Sequence, residues 1–240
     1  MAGLSHVVDH SPSLLYETNV IGSQNVVLAV EKNHQKKKIF LASTCHVYAD
    51  TKSPISETFP FGPKSHYAAS KLAMEFICKN TARRNEIVSL RLFNCIGLGQ
   101  KESFFIPKIL KAHIQKEPVI YLGRIETKRE FNDVRWVVKV IRSLAEADVS
   151  PGNYNICSGK AFKASEMLRL VSEKTEHFPK IISDVELLRP DEQNIIVGDP
   201  TRTLNMLSQN GISLRQPTIR KTLDDMITEY KRLIFAQKNM

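Results

Sequence analysis

The chain has 240 residues, 42% of them hydrophobic, with a formal net charge of +9. That is enough for one substantial domain or a domain with a lobe, and Gly and Pro sit at ordinary levels, which excludes a disordered or collagen-like chain. No apolar run approaches the roughly 20 residues that a membrane helix needs, and the first residues lack the basic and apolar regions of a signal peptide, so a soluble cytoplasmic protein is expected. The four cysteines, Cys45, Cys78, Cys95 and Cys157, are widely spaced and form no C-x-x-C pair. This argues against a zinc site or a disulfide framework. The sharpest basic cluster, Lys36-Lys37-Lys38, directly precedes an apolar run. It reads as a solvated turn before a buried strand, and no zinc-finger, basic-zipper or RNA-binding pattern points to nucleic acid.

In chain order, Ser11-Pro12 offers a cap followed by proline at the first helical position, and apolar residues then recur at helical spacing to about residue 33. The run 39–42, ending at Ser43-Thr44, suits a strand buried on both faces of a parallel sheet. A polar, Pro-rich loop over 50–65 precedes a helix over 66–83, and 86–92 reads as the next strand. Helix alternating with strand implies a parallel sheet with crossover helices, hence an α/β fold. Beyond Gly97 the pattern predicts helices at 104–115, 134–146, 164–175 and 218–235, with strands at 119–122 and 154–156.

Chemistry concentrates at Tyr67-Ala68-Ala69-Ser70-Lys71. Residues i and i+4 project from one helix face, so a phenol and an ammonium group sit side by side. The positive charge favours phenolate and lowers the tyrosine pKa, giving a proton donor or acceptor usable near neutral pH. Alone, Y-x-x-x-K is a weak signal.

Its neighbours carry a resemblance. Ser43-Thr44-Cys45-His46-Val47-Tyr48 resembles the strand end of the extended short-chain dehydrogenases/reductases, the NAD-dependent epimerase/dehydratase family. Pro54-Ile55-Ser56-Glu57 is similar to that family's P-x-x-E segment, and Arg91-Leu92-Phe93-Asn94-Cys95-Ile96-Gly97 to its R-x-F-N-x-x-G. Arg129-Glu130-Phe131-Asn132-Asp133-Val134 resembles R-D-F-x-x-V, and Leu188-Arg189-Pro190 the R-P of the substrate lobe. Ala2-Gly3-Leu4-Ser5-His6-Val7 and Asn19-Val20-Ile21-Gly22-Ser23 resemble A-A-x-S-H-V and N-V-x-G-T. These matches run in the family's order over essentially the whole chain. The GDP-mannose branch, with its 4-keto-6-deoxy-mannose reductases and 4,6-dehydratases, is the most similar.

The resemblance implies a Rossmann-like doubly wound parallel sheet, incomplete in this chain, with a smaller α/β substrate lobe. Residues 1–100 would be the remaining half of the dinucleotide domain and 101–240 mainly the lobe, interleaved with the last strands. It implies Thr44, Tyr67 and Lys71 as catalytic residues. Tyr67, Lys71, Ser43 and Ala2 would meet NAD or NADP, while Asn94, Arg129, Arg189 and Glu192 would hold a nucleotide-diphosphate sugar. Guanidinium forks suit diphosphate because two donors match two oxygens. Asn19 is expected to bridge the helix backbone to solvent near the site. The family's G-x-x-G-x-x-G loop, which receives the pyrophosphate, is not found in the sequence. The cofactor site is therefore expected to be incomplete, and the strand over 39–42 to form an unpaired sheet edge. His46 stands where 4,6-dehydratases carry a catalytic glutamate, which favours reduction or epimerisation over dehydration. Three functions remain open: a 4-keto reductase, a 4-epimerase, and a non-catalytic relative that binds a nucleotide sugar or a partner protein. Family dimers imply a homodimer through helices 12–33 and 66–83.

Overall fold

A computed structural model describes residues 3–4, 11–32, 36–188 and 193–238. In chain order it contains α1 (Pro12–Tyr16), a π-helical turn (Glu17–Ile21), α2 (Gly22–Glu31), β1 (Lys38–Thr44), a 3-10 turn (Cys45–Val47), α3 (His66–Thr81), β2 (Glu86–Leu92) and β3 (Cys95–Ile96). Then come α4 (Phe105–Ile114), β4 (Val119–Leu122), β5 (Lys128–Glu130), β6 (Asn132–Asp133), α5 (Val134–Glu146) and β7 (Gly152–Ile156). The chain closes with β8 (Ala161–Lys163), α6 (Ala164–Thr175), β9 (Lys180–Ser183), a 3-10 turn (Val185–Leu187), β10 (Ile195–Ile196), α7 (Thr201–Gln209) and α8 (Ile219–Lys238).

The chain divides into two compact units. The first gathers Met1–Phe93, Val140–Cys157 and Gly198–Ser213. Its centre is a parallel sheet in the order β1-β2-β7. The apolar run of β1 pairs with β2 from Lys38↔Glu86 to Thr44↔Leu92, so both strands end at the same level. The expectation that residues 39–42 would be buried on both faces is met only in part. Leu41 is buried, whereas Ile39, Phe40 and Ala42 are half-buried, because β1 has one hydrogen-bonded neighbour among the described residues. Val20, Val27, Met74 and Cys78, from the helical run and α3, pack against Leu41 and Ile87. Each such aliphatic side chain removed from water contributes about 1.5–3 kcal/mol.

Two helix starts behave differently from one another. Ser65 caps α3, its hydroxyl accepting from Ala68 N at 3.2 Å. Ser11 makes no such cap bond and turns to Ser13 Oγ at 3.0 Å. Pro12 alone, with φ already fixed near the helical value, starts α1. The lysine triplet behaves as a solvated turn: Lys36 and Lys38 both reach Glu86, and Lys38 also pairs with Asp148 at 2.9 Å.

The second unit gathers Asn94–Lys139, Ser158–Val197 and Leu214–Met240. Ile106, Ile109 and Leu110 of α4 pack with Met167, Leu168 and Val171 of α6 and with Leu223, Met226 and Ile227 of α8. The helices expected at 104–115, 164–175 and 218–235 are thus the ones that build this core. Several elements escape pattern reading. β3, β5, β6, β8 and β10 have two or three residues each, too short for a period-2 signal to register.

Candidate active site

The C-terminal end of β1 is where the predicted groups converge. Thr44 is its last residue and also the N-cap of the 3-10 turn, its Oγ1 accepting from His46 N at 3.3 Å. The cap satisfies an amide that the strand ladder no longer can. Lys71, on α3 and nearly fully buried, sends Nζ to Ala42 O at 3.0 Å. Burial pushes the Lys71 ammonium below the usual lysine range. Tyr67 lies one turn earlier on the same helix face and is half-exposed. The structure therefore brings Ser43, Thr44 and Lys71 together at one sheet edge, with Tyr67 on the helix that covers it.

Asn19 differs from its expected role. It does not lead to solvent but is fully buried within the π-helical turn. Its Oδ1 accepts from Leu4 N at 2.9 Å, and its Nδ2 donates to Leu4 O at 3.2 Å and Ser70 Oγ at 3.1 Å. A π-turn inserts one residue into the helical ladder and re-aims a side chain, a device common at functional sites. A Cβ placed on Gly3 would lie 3.2 Å from Asn19 Oδ1 and 3.2 Å from Lys71 Nζ. Gly3 thus packs closely against Asn19 and the Lys71 ammonium, where a side chain would be crowded.

Ser43 spends its hydroxyl inward. It donates to Glu75, which is itself held by Arg91 Nε at 3.1 Å and Nη2 at 2.7 Å. Arg91 is fully buried; burial presses its pKa down, and the bonds to Glu75 outweigh that and hold it above the usual value. Sequence reading passed over this pair. The signal was available: a charged residue inside the apolar strand 86–92 needs a buried partner, and Glu75 falls one further turn along the Tyr67–Lys71 face.

Among the predicted substrate residues, Asn94 and Arg129 belong to the second unit. Asn94 O accepts from Asn132 N at 3.0 Å and Nδ2 at 3.2 Å. Arg129 donates to the carbonyls of Lys128, at 2.9 Å, and Gln193. Between Asn94 and β8, the buried Glu130 carboxylate gathers Asn132 Nδ2 at 3.0 Å and the amide and hydroxyl of Ser158 at 2.7 and 3.0 Å. Ala2, Arg189 and Glu192 lie outside the described residues.

A parallel α/β sheet with a helix-borne tyrosine and lysine at its carboxyl edge is an arrangement of Rossmann-type proteins, in which ligands meet the strand ends. Comparison with known proteins agrees. The model of the NAD dependent epimerase/dehydratase family matches residues 1–157. GDP-6-deoxy-D-talose 4-dehydrogenase of Aggregatibacter actinomycetemcomitans is 29% identical over 94% of this chain and 76% of its own length. GDP-6-deoxy-D-mannose reductase of Pseudomonas aeruginosa is 28% identical over 84% of this chain and 70% of its own. A solved structure of RMD from Pseudomonas aeruginosa complexed with NADPH superposes with a TM-score of 0.87 at 25% identity, covering 97% of this chain and 80% of that one. The chain belongs to the NAD dependent epimerase/dehydratase family.

Proposed function

We propose that this protein modifies carbon 4 of a nucleotide-diphosphate sugar with an NAD(P) cofactor, and that the reaction is reduction of a 4-keto-6-deoxy sugar nucleotide. The observation that carries the reading is the convergence of Thr44 and the Lys71 ammonium at the end of β1, one helical turn from Tyr67. The reduced cofactor supplies a hydride to carbon 4 when bound. Tyr67 gives its proton to the oxygen at carbon 4 as that oxygen gains negative charge. Thr44 Oγ1, oriented by the bond it accepts from His46 N, donates a hydrogen bond to the same oxygen and keeps its proton. Lys71 spends one donor on Ala42 O among the described residues; its other two donors would stabilise the Tyr67 phenolate and hold the cofactor's ribose. Ser43 contributes through its backbone, since its hydroxyl serves Glu75. Asn94, Arg129, Arg189 and Glu192 are assigned to the nucleotide-diphosphate.

Incubation with GDP-4-keto-6-deoxy-mannose and NADPH or NADH tests the reading. Loss of reduced-cofactor absorbance equal to the product formed supports reduction. Interconversion of a 4-hydroxy nucleotide sugar and its carbon-4 epimer in the presence of NAD, without net cofactor change, supports the 4-epimerase. Saturable binding of nucleotide sugar with neither would leave a non-catalytic relative.

A homodimer through α1, α2 and α3 belongs to the same reading. Val26 and Leu28 of α2 and Phe76 of α3 are exposed, as is Ile21 at the end of the π-helical turn, and water-exposed apolar helix faces favour association. Sedimentation would show a species of twice the chain mass. A cytoplasmic setting belongs to the same reading. No helix among the described residues is long and apolar enough to cross a membrane.

A further inference from the structure

One rung of the β1-β2-β7 sheet is polar throughout. Ser43 pairs in register with Arg91, and Arg91 with Asn155, one level before the strand end that carries Thr44. All three are buried, with Leu90 and Leu92 flanking Arg91 on the central strand. Side chains at one level of parallel strands share a face, so the rung presents a hydroxyl, a guanidinium and an amide to the same layer. Glu75 descends onto it from α3, taking Ser43 Oγ and both tines of the Arg91 fork. Arg91 Nη1 continues to Tyr48 OH at 2.9 Å and Glu57 O at 3.1 Å. Tyr48 OH reaches Asn155 Oδ1 at 2.7 Å, and Asn155 N reaches Glu57 Oε1 at 2.9 Å.

Burying so many polar groups costs desolvation that apolar side chains of similar volume would avoid. What the network adds is geometry. A bidentate fork fixes distance and angle together, and this one joins α3 to the sheet on the helix face that also bears Tyr67 and Lys71. We infer that Glu75 and Arg91 are positioning residues, which set the height and rotation of α3 so that Tyr67 and Lys71 face Thr44 at the end of β1. The inference rests on the proposed carbon-4 chemistry for its catalytic meaning.

Two variants test it: Ser43→Ala, and the double replacement Glu75→Met with Arg91→Met. The double variant removes both charges, so no buried charge is stranded and folding is retained. Displacing reacting groups by about an ångström costs on the order of 100-fold in rate, so kcat should fall roughly 10- to 100-fold in the double variant. KM for the nucleotide sugar should stay within about twofold, the pattern of a lost transition-state alignment. Independently of turnover, exchange of the His46 amide, which is held by Thr44 Oγ1, should quicken about 10-fold or more in the folded double variant through local opening. Ser43→Ala, which cuts only the link to β1, should show the same exchange effect in smaller measure. A folded double variant with native kcat and native His46 protection would overturn the positioning role and leave the pair as mere scaffold. Absence of turnover in the unaltered protein would instead sink the carbon-4 reading, while the exchange comparison still decides whether Glu75 and Arg91 hold the strand end.

Discussion

The Nζ of Lys71 lies 3.0 Å from the carbonyl oxygen of Ala42, so a charged side chain from α3 is inserted against the last turn of a parallel strand. That contact spans 29 residues of sequence and joins the helix bearing Tyr67 to the strand bearing Thr44. It holds an ammonium in a place where burial disfavours its charge.

Replacing Lys71 with Met should therefore separate stability from activity. Burial lowers the folded-state pKa of Lys71 below its unfolded value. The unfolded chain thus binds the proton more readily, and near neutral pH the buried charge detracts from stability. The Met variant should melt no lower than the unaltered protein, while turnover falls about 100-fold or more with the loss of proton-transfer assistance. A clear drop in melting temperature alongside full turnover would contradict both parts.

Tyr67→Phe removes one oxygen and leaves the ring. Turnover should fall by about 100- to 10,000-fold, the range of a general acid, while nucleotide-sugar affinity by calorimetry is preserved. Retention of the full rate would refute the role given to Tyr67.

A pH effect on stability should arise in the second unit at His113. This fully buried ring bonds Ile109 O at 2.6 Å and Ser172 Oγ at 3.0 Å, with the His177 ring 5.7 Å away. Burial, reinforced by His177 and Lys116, holds its pKa below the usual histidine value. The group is neutral in both states above about pH 6.5. As pH falls below that, the unfolded chain takes up the proton first, so stability declines until the folded-state pKa is reached. Denaturant titrations should show a shallower loss of stability between pH 6.5 and pH 5 in His113→Gln than in the unaltered protein.

Gly198 is a packing constraint open to a simple check. A Cβ there would stand 2.6 Å from Cys157 Sγ and 2.7 Å from Phe93 Cζ. Neither neighbour is the free end of a flexible chain, so Gly198→Ala should destabilise the first unit by about 1–3 kcal/mol. An unchanged denaturation midpoint would show that the pocket yields more easily than the geometry implies.

Much of the architecture was legible before any coordinates. The strand at 86–92 and the helices at 134–146 and 164–175 fall where periodicity put them, because an amphipathic face is a local property repeated over three or more turns. Tyr67 and Lys71 were legible for the same reason, since four residues along a helix fix which side chains are neighbours. The small strands of the second unit were not, because pairing alone defines an element of two or three residues.

What the sequence by itself determined is therefore the longer helices and strands, the family motifs they carry, and the phenol–ammonium pair on α3. What only the tertiary structure decided is which distant groups those residues meet: Asn19 with Leu4 and Ser70, Ser43 with Glu75, Arg91 with Tyr48. Local propensity sets periodicity within an element. The partners of a buried polar group depend on strand register and on how a helix is set against a sheet, and that setting is fixed by the whole packed core at once.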